Sequence, residues 1–389
     1  MWTFRCPEIV FGEDALSRLE TLTGERAFII TDHNIIQLGL AEPVISRLEA
    51  AGLTVQLFAE VEPDPSLETV FRARDLLLAD EPQWVIGLGG GSCLDAAKVA
   101  WFLYERPDTD PEGITPFETF SPHRKAKMIS ISTTSGTGAD VSMGAVVTIM
   151  AEQRKLTVVS PELMPDIAIV DPVLVSHLPA QITADTGMDV LTHALESFIT
   201  PWHTLYTDGL ALTAMWLVFH YLPRAYADGA DMEAREAMHN AATMAGIALS
   251  NASLGIGHSL AHAFGGLFHT PHGRTVGMFL PYALRYAANE NPERLAAAAR
   301  FLDLSRDDDD RVAVRALLDR ITQLQVALHQ PRTIPDLYPI SQAELAERMD
   351  VLVGNAAVDA FMLTTPRVPG NEETEQLFWC AFTGKEVDF

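Results

Sequence analysis

The 389-residue chain is poor in cysteine, in basic side chains and in long apolar runs. Its three cysteines, Cys6, Cys93 and Cys380, match no zinc spacing, and their odd number argues against a disulfide framework. Lys and Arg total 27 against 52 Asp and Glu, for a formal net charge of −25. A surface of that sign repels nucleic acid phosphates and anionic membranes, so neither is expected as a partner. The acidity reads chiefly as a solubility device, and the run Asp307 to Asp310 as a solvated loop. No apolar run is long enough to span a bilayer. The opening MWTFRCPEIVFG has no basic segment leading into an apolar one. A reducing cytoplasm is therefore the expected location. Neither an internal repeat nor a low-complexity linker is visible.

What is present is enough length for two cores, and a change of rhythm along it. AFIITD (27–32), TVQLFAEV (54–61), WVIGLGGGS (84–92) and MISISTTSGTG (128–138) each open as short apolar strands. The segments Asn34 to Ala51, Leu67 to Ala79 and Leu94 to Tyr104 between them read as helices. Strands alternating with helices imply βαβ units and a parallel sheet covered on both faces. After about Asp171 the β-branched strands stop, and the pattern is helical almost to the end. The expectation is an α/β, Rossmann-like parallel-sheet N-terminal domain over residues 1–176, followed by an all-helical domain over 177–389. Ligands of open α/β folds gather at the carboxyl ends of the strands, so a cleft beside those ends is the expected active site.

Two loops suit a nucleotide. GLGGGSCLDAAK (87–98) places Gly90, Gly91 and Ser92 between a strand and a helix, where backbone N–H groups can approach a phosphate. Its spacing is not GxGxxG. STTSGTG (132–138) adds the hydroxyls of Thr133, Thr134 and Thr137 after the next strand. Asp32 closes the strand AFIITD, where a carboxylate can accept a ribose 2′-OH and repel a 2′-phosphate, favouring NAD over NADP. The competing reading of Asp32 is a helix N-cap.

The helical half holds polar side chains where apolar ones belong. Asp189 and His193 form one i,i+4 pair in GMDVLTHALESFI. His258 and His262 form another in GIGHSLAHAFGGLFHTPHG, followed by His272 after a Thr-Pro turn. A buried carboxylate needs a partner, and an Asp–His hydrogen bond would serve as well as a metal for the first pair alone. With three more histidines the set suits a borderline divalent cation such as Fe(II), Zn(II) or Ni(II). His269 and His239 read as packing residues.

With these motifs the chain resembles the iron-containing (group III) alcohol dehydrogenases nearly end to end. The likeness runs from FGEDAL (11–16) through both loops, TADTGMDVLTHALESFIT and GHSLAHAFGGLFHTPHG, to TTPRVP. It is strongest to the alcohol dehydrogenase module of bifunctional aldehyde/alcohol dehydrogenases. The resemblance implies Asp189, His193, His258 and His272 as ligands of Fe(II), with Zn(II) as the other option, and His262 on the substrate side as a proton relay. It implies NAD(H) held by Asp32, Gly90, Gly91, Ser92, Asp95, Thr133, Thr134, Thr137 and Lys155. The implied activity interconverts short primary alcohols or diols with aldehydes, the metal acting as a Lewis acid and hydride passing to or from nicotinamide. A homodimer or larger homo-oligomer is implied as well.

Two departures stand out. Asp140 replaces the usual Glu of a GTGSE motif, and Phe361 and Thr365 replace a small residue or Cys and an Asn before PR. Phe361 would then make the substrate pocket smaller and more apolar. A glycerol or polyol dehydrogenase, a dehydroquinate-synthase-like lyase and a non-catalytic assembly protein remain as alternatives. The lyase would need more basic residues than Lys155 and Arg274, and the assembly protein would not need both loops and all the ligands.

Overall fold

A computed structural model describes residues 3–152 and 154–389. The first two positions of the opening segment lie outside the described residues. The chain forms two compact units, one ending at His177 and one starting at Leu178.

The first unit is a six-stranded parallel sheet in the order β1-β8-β5-β4-β2-β3. Its strands are β1 (Glu8–Phe11), β2 (Arg26–Ile30), β3 (Thr54–Phe58), β4 (Trp84–Gly89), β5 (Lys127–Ser132) and β8 (Ile167–Val170). An antiparallel hairpin, β6 (Gly144–Ile149) and β7 (Arg154–Val159), stands apart from it. The helices are α1 (His33–Gln37), α2 (Glu42–Ala50), α3 (Leu67–Asp80) and α4 (Gly91–Glu105). Every residue of β4 is buried, as the unbroken apolar run WVIGLG requires of a central strand covered on both faces. One apolar cluster, including Phe28, Val85, Trp101 and Met128, packs one face, and another, including Ile29, Ile86, Leu16 and Leu48, packs the other.

The expected strands and the parallel sheet are present, with differences of detail. The segment from Asn34 to Ala51 is two helices rather than one. Gly39 sits at φ +70°, which ends α1, and Pro43 in the first turn of α2 restarts the chain in a new direction. The short strands β1 and β8 and the hairpin were not read from the sequence. Strands β1 and β8 are only four residues long, and in β7 just Leu156 and Val158 turn inward, too short an alternation to stand out.

The second unit is all helical. It contains α5 (Ala180–Ile199), α6 (Leu205–Ala227), α7 (Met232–Ala252), α8 (Ile256–Phe268), α9 (His272–Ala288), α10 (Pro292–Phe301), α11 (Asp310–Ala327), α12 (Ile334–Leu337), α13 (Gln342–Val358) and α14 (Asn371–Thr383). Helix α5 is the axle, packed by α6, α7 and α9. It is buried on nearly every side from Gly187 to Ile199, so its polar residues there have no water to turn to. A second apolar core gathers α8, α9, α13 and α14 around Phe264, Phe279 and Phe378.

Candidate metal centre and nucleotide crevice

Helix periodicity places Asp189, His193 and Glu196 on one face of α5. Helix α8 presents His258 and His262. His269 closes α8 in a left-handed conformation, and Pro271 starts α9 with His272 as its first residue. That tight corner returns the chain to α5. One donor atom from each of Asp189, His193, His258 and His272 lies within 4.8 Å of the other three.

The spacing has a particular meaning. The Nε2 atoms of His193, His258 and His272 stand 3.4, 3.7 and 3.6 Å from Asp189 Oδ1. Four donors about 2.1 Å from a common centre at tetrahedral angles would stand ~3.4 Å apart. Asp189 Oδ1 and His258 Nε2 are buried and make no hydrogen bond, which is costly unless something else binds them. Burial would raise the Asp189 carboxyl, yet the imidazoles of His193, His272 and His258 outweigh it and hold it well below the usual range. Burial would lower His258, yet the carboxylates of Asp189 and Glu196 lift it to about 9. An ionised carboxylate among three imidazoles is a donor set that a divalent cation takes. A divalent cation therefore fits these residues. The side chains of Asp189, His193 and His258 are at most 5% exposed, whereas that of His272 is 43% exposed, so the set is open on the His272 side.

His262 lies beside this cluster, its ring 5.3 Å from that of His272 and 5.8 Å from that of His258. Its Nδ1 donates to Asp359 Oδ2 at 2.8 Å, because an ionised carboxylate has no hydrogen to give. Asp359 also accepts from Ser259 Oγ and from the N–H of Phe361. Burial would raise the Asp359 carboxyl, but the hydrogen bond from His262 pulls it below its ordinary value. The Phe361 ring sits 6.0 Å from His258 and 5.8 Å from His262. One carboxylate thus orients a histidine and anchors the aromatic residue next to it.

In the first unit, Asp32 and Gly90 follow adjacent strands, β2 and β4, and the chain reverses its direction across the sheet between them. This is the switch point at which open α/β sheets bind ligands. A concavity there is lined by Asp32, Glu62, Pro63, Gly90, Gly91, Ser92 and Cys93. Gly89 and Ser132 pair across β4 and β5, which brings the two loops level. A Cβ at Gly91 would lie 3.0 Å from Thr137 Cγ2, and one at Gly90 3.4 Å from Thr134 Cγ2. The Thr133 N–H donates to Gly89 O at 3.0 Å.

Asp32 does what its competing reading required. Its Oδ1 caps α1 through the Ile35 N–H at 2.9 Å, and its Oδ2 accepts from Cys93 Sγ at 3.3 Å. It still lines the concavity. The Asp95 carboxylate is engaged by the Val146 N–H at 2.9 Å, with Lys98 Nζ 4.0 Å away. Burial raises Asp95 to about 6. Lys155, on β7, pairs with Asp64 at 2.7 Å.

Sequence reasoning missed Glu196, Asp359 and Glu62. Glu196 could have been found, since it lies seven residues after Asp189 on a helix otherwise apolar there. Asp359 is far in sequence from His262 and carries no local signal.

Residues 6–172 match the family model described as iron-containing alcohol dehydrogenase, and residues 183–382 match that of the Fe-containing alcohol dehydrogenase family, C-terminal. The chain belongs to the iron-containing alcohol dehydrogenase family. It is 36% identical over 392 aligned residues to an NADPH-dependent butanol dehydrogenase from Clostridium saccharobutylicum, covering 100% of both chains. It is 36% identical to the bifunctional aldehyde-alcohol dehydrogenase of Escherichia coli strain K12, with 96% of this chain but only 45% of that one covered. The chain thus spans less than half of that relative. Among solved structures, a sulfoacetaldehyde reductase from Bifidobacterium kashiwanohense in complex with NAD+ superposes with a TM-score of 0.86 at 26% identity, covering 98% of each chain. As a member of this family the chain is an oxidoreductase enzyme acting between alcohols and aldehydes. No helix among the described residues is long and apolar enough to cross a membrane.

Proposed function

We propose that the chain is an Fe(II)-dependent, NAD(H)-linked dehydrogenase interconverting short primary alcohols, or small diols, with their aldehydes. The observation that carries this reading is the convergence of Asp189, His193, His258 and His272 on one point, with two buried donor atoms that make no hydrogen bond. Divalent iron held there supplies Lewis acidity toward an alcohol or carbonyl oxygen, and NAD(H) supplies the hydride chemistry.

The chain's own residues do the rest. Asp359 keeps the His262 proton on Nδ1, so Nε2 is the atom that accepts the alcohol proton or returns it to an aldehyde. Phe361 narrows the space beside the histidines and favours short, apolar carbon chains. Gly90, Gly91 and Ser92 offer backbone N–H groups at the start of α4 to a pyrophosphate. Thr133, Thr134 and Thr137 face that loop, while Asp95 and Lys155 support the same side of the sheet. Asp32 and Glu62 make the concavity acidic, which favours NAD over a 2′-phosphorylated cofactor. The family includes an NADPH-dependent relative, so this preference belongs to the particular residues of this chain.

In this reading residues 1–176 form the dinucleotide-binding domain and 177–389 the metal and substrate domain. The enzyme works as a homodimer or larger assembly in the cytoplasm, and Zn(II) is the metal most able to replace iron. The test is a panel of ethanol, butanol, 1,2-propanediol and 1,3-propanediol with the iron- and zinc-reconstituted enzyme, NAD or NADP, under anaerobic conditions. NADH formation that requires the metal supports the reading. Equal turnover after complete metal removal overturns it.

A further inference from the structure

Glu196 is 2% exposed and lies in the last turn of the unit's central helix. A buried carboxylate must be fully hydrogen-bonded, and this one is. Its Oε2 accepts from His258 Nδ1 at 2.6 Å and from the Gly255 N–H at 3.1 Å, and its Oε1 accepts from the Gly257 N–H at 2.7 Å. All three donors belong to the start of α8. Neither oxygen is in the four-donor cluster, so Glu196 is not one of its donors.

The consequence concerns the other edge of the imidazole. A carboxylate can only accept, so the His258 Nδ1 hydrogen is fixed toward Glu196, and Nε2 is the edge left for a metal, which takes it by displacing any proton there. That Nε2 is the atom 3.7 Å from Asp189 Oδ1 and without a hydrogen bond. Backbone choice agrees with this. A Cβ at Gly257 would lie 2.8 Å from Glu196 Oε1, and one at Gly255 3.1 Å from the same atom. The two glycines leave a seat into which the carboxylate fits.

We propose that Glu196 is a positioning residue that sets the tautomer and ring plane of His258 and ties α8 to α5, so that the four donors meet. The proposal rests on the metal reading above. A residue that merely capped α8 would change stability and leave metal affinity alone.

The discriminating variant is Glu196→Gln. Each carboxylate oxygen faces an N–H, so the amide nitrogen must meet a donor whichever way it turns. If it turns toward His258, the imidazole moves its hydrogen to Nε2 and blunts the lone pair. The probe is Co(II), titrated anaerobically into wild type and variant in competition with a chelator. E196Q is expected to weaken Co(II) about 10–100-fold, the usual effect of removing the partner of a metal-binding histidine. The visible Co(II) spectrum is expected to change with it.

G257A retains every titratable side chain and displaces the carboxylate sterically. It is expected to weaken Co(II) in the same direction, and it answers the question if E196Q does not fold. Wild-type Co(II) affinity in a folded E196Q or G257A, with only the melting temperature lowered, overturns the proposal. A wild-type chain that takes up no Co(II) overturns the metal reading, and this inference with it.

Discussion

Gly273 is the residue on which the convergence of the two helices can be tested without touching a ligand. It follows His272 in the first turn of α9, against the backbone of α5. A Cβ there would lie 2.5 Å from Asp185 O, 3.0 Å from Asp185 C and 3.2 Å from Asp189 Cβ. The obstacle is mostly helical backbone, which cannot rotate away as a side-chain tip can. Ordinary contact begins near 3.4 Å, so Gly273→Ala must part α9 from α5 by about 0.9 Å. Metal–ligand distances tolerate roughly ±0.2 Å. His272 would then be withdrawn from the cluster with all four ligands still encoded. Overpacking of this kind costs about 1–3 kcal/mol. A melting curve without metal should show that loss, and a Co(II) titration should show binding weakened by at least ~10-fold, the low end for a disturbed ligand. Gly209→Ala, where nothing lies within 4 Å of the added Cβ, is the control and should bind Co(II) as the wild type does. Wild-type affinity in G273A would show that the contact between α5 and α9 does not set the geometry of the cluster.

Three further outcomes are expected. Asp32→Ser keeps a side-chain oxygen for the Ile35 N–H but removes the charge, so the fold should be nearly as stable while the preference for NAD over NADP narrows; unchanged discrimination in steady-state kinetics would make Asp32 a cap and nothing more. Phe361→Ala should raise kcat/KM for hexanol relative to ethanol by about 10-fold or more, since each methylene accommodated in an apolar pocket is worth ~1–3 kcal/mol, and an unchanged ratio would remove Phe361 from the pocket. Burial lowers the Lys98 ammonium from 10.5 to about 8. Below pH 8 folded and unfolded chains both hold that proton, and between pH 8 and 10.5 the unfolded chain holds more, so this group makes the fold gain stability as pH rises through that window. Urea midpoints of wild type and Lys98→Met should diverge in slope over that range, and parallel slopes would refute the assignment.

Much of the architecture was legible because two periods repeat along the chain. A short apolar run that ends in glycines, such as WVIGLG, reads as a covered strand, and the three-and-four spacing after Asp171 reads as helix packed on helix. Asp189/His193 and His258/His262 were legible for the same reason, as breaks in that spacing. The split between α1 and α2 depends on one left-handed residue, Gly39, which a helical pattern overrides when read as a window. Glu196 sat on the right face but looked like an ordinary charged residue until its burial was known. Asp359 meets His262 only through the packing of α13 on α8, a tertiary fact with no local trace.

The pairing of the sheet's outer strand also constrains when the protein can finish folding. Glu8 through Phe11 lie beside Ile167 through Val170, so the first strand made is joined to the last. At ~5–20 residues per second, roughly 10–30 s of synthesis separate the two. During that interval β5 can pair with β4, but its other side must wait for β8, and β8 must arrive before β1 has a place. The unit is therefore expected to assemble on the ribosome from its middle outward. Strand β1 is expected to find its place last, once residue 170 has cleared the exit tunnel.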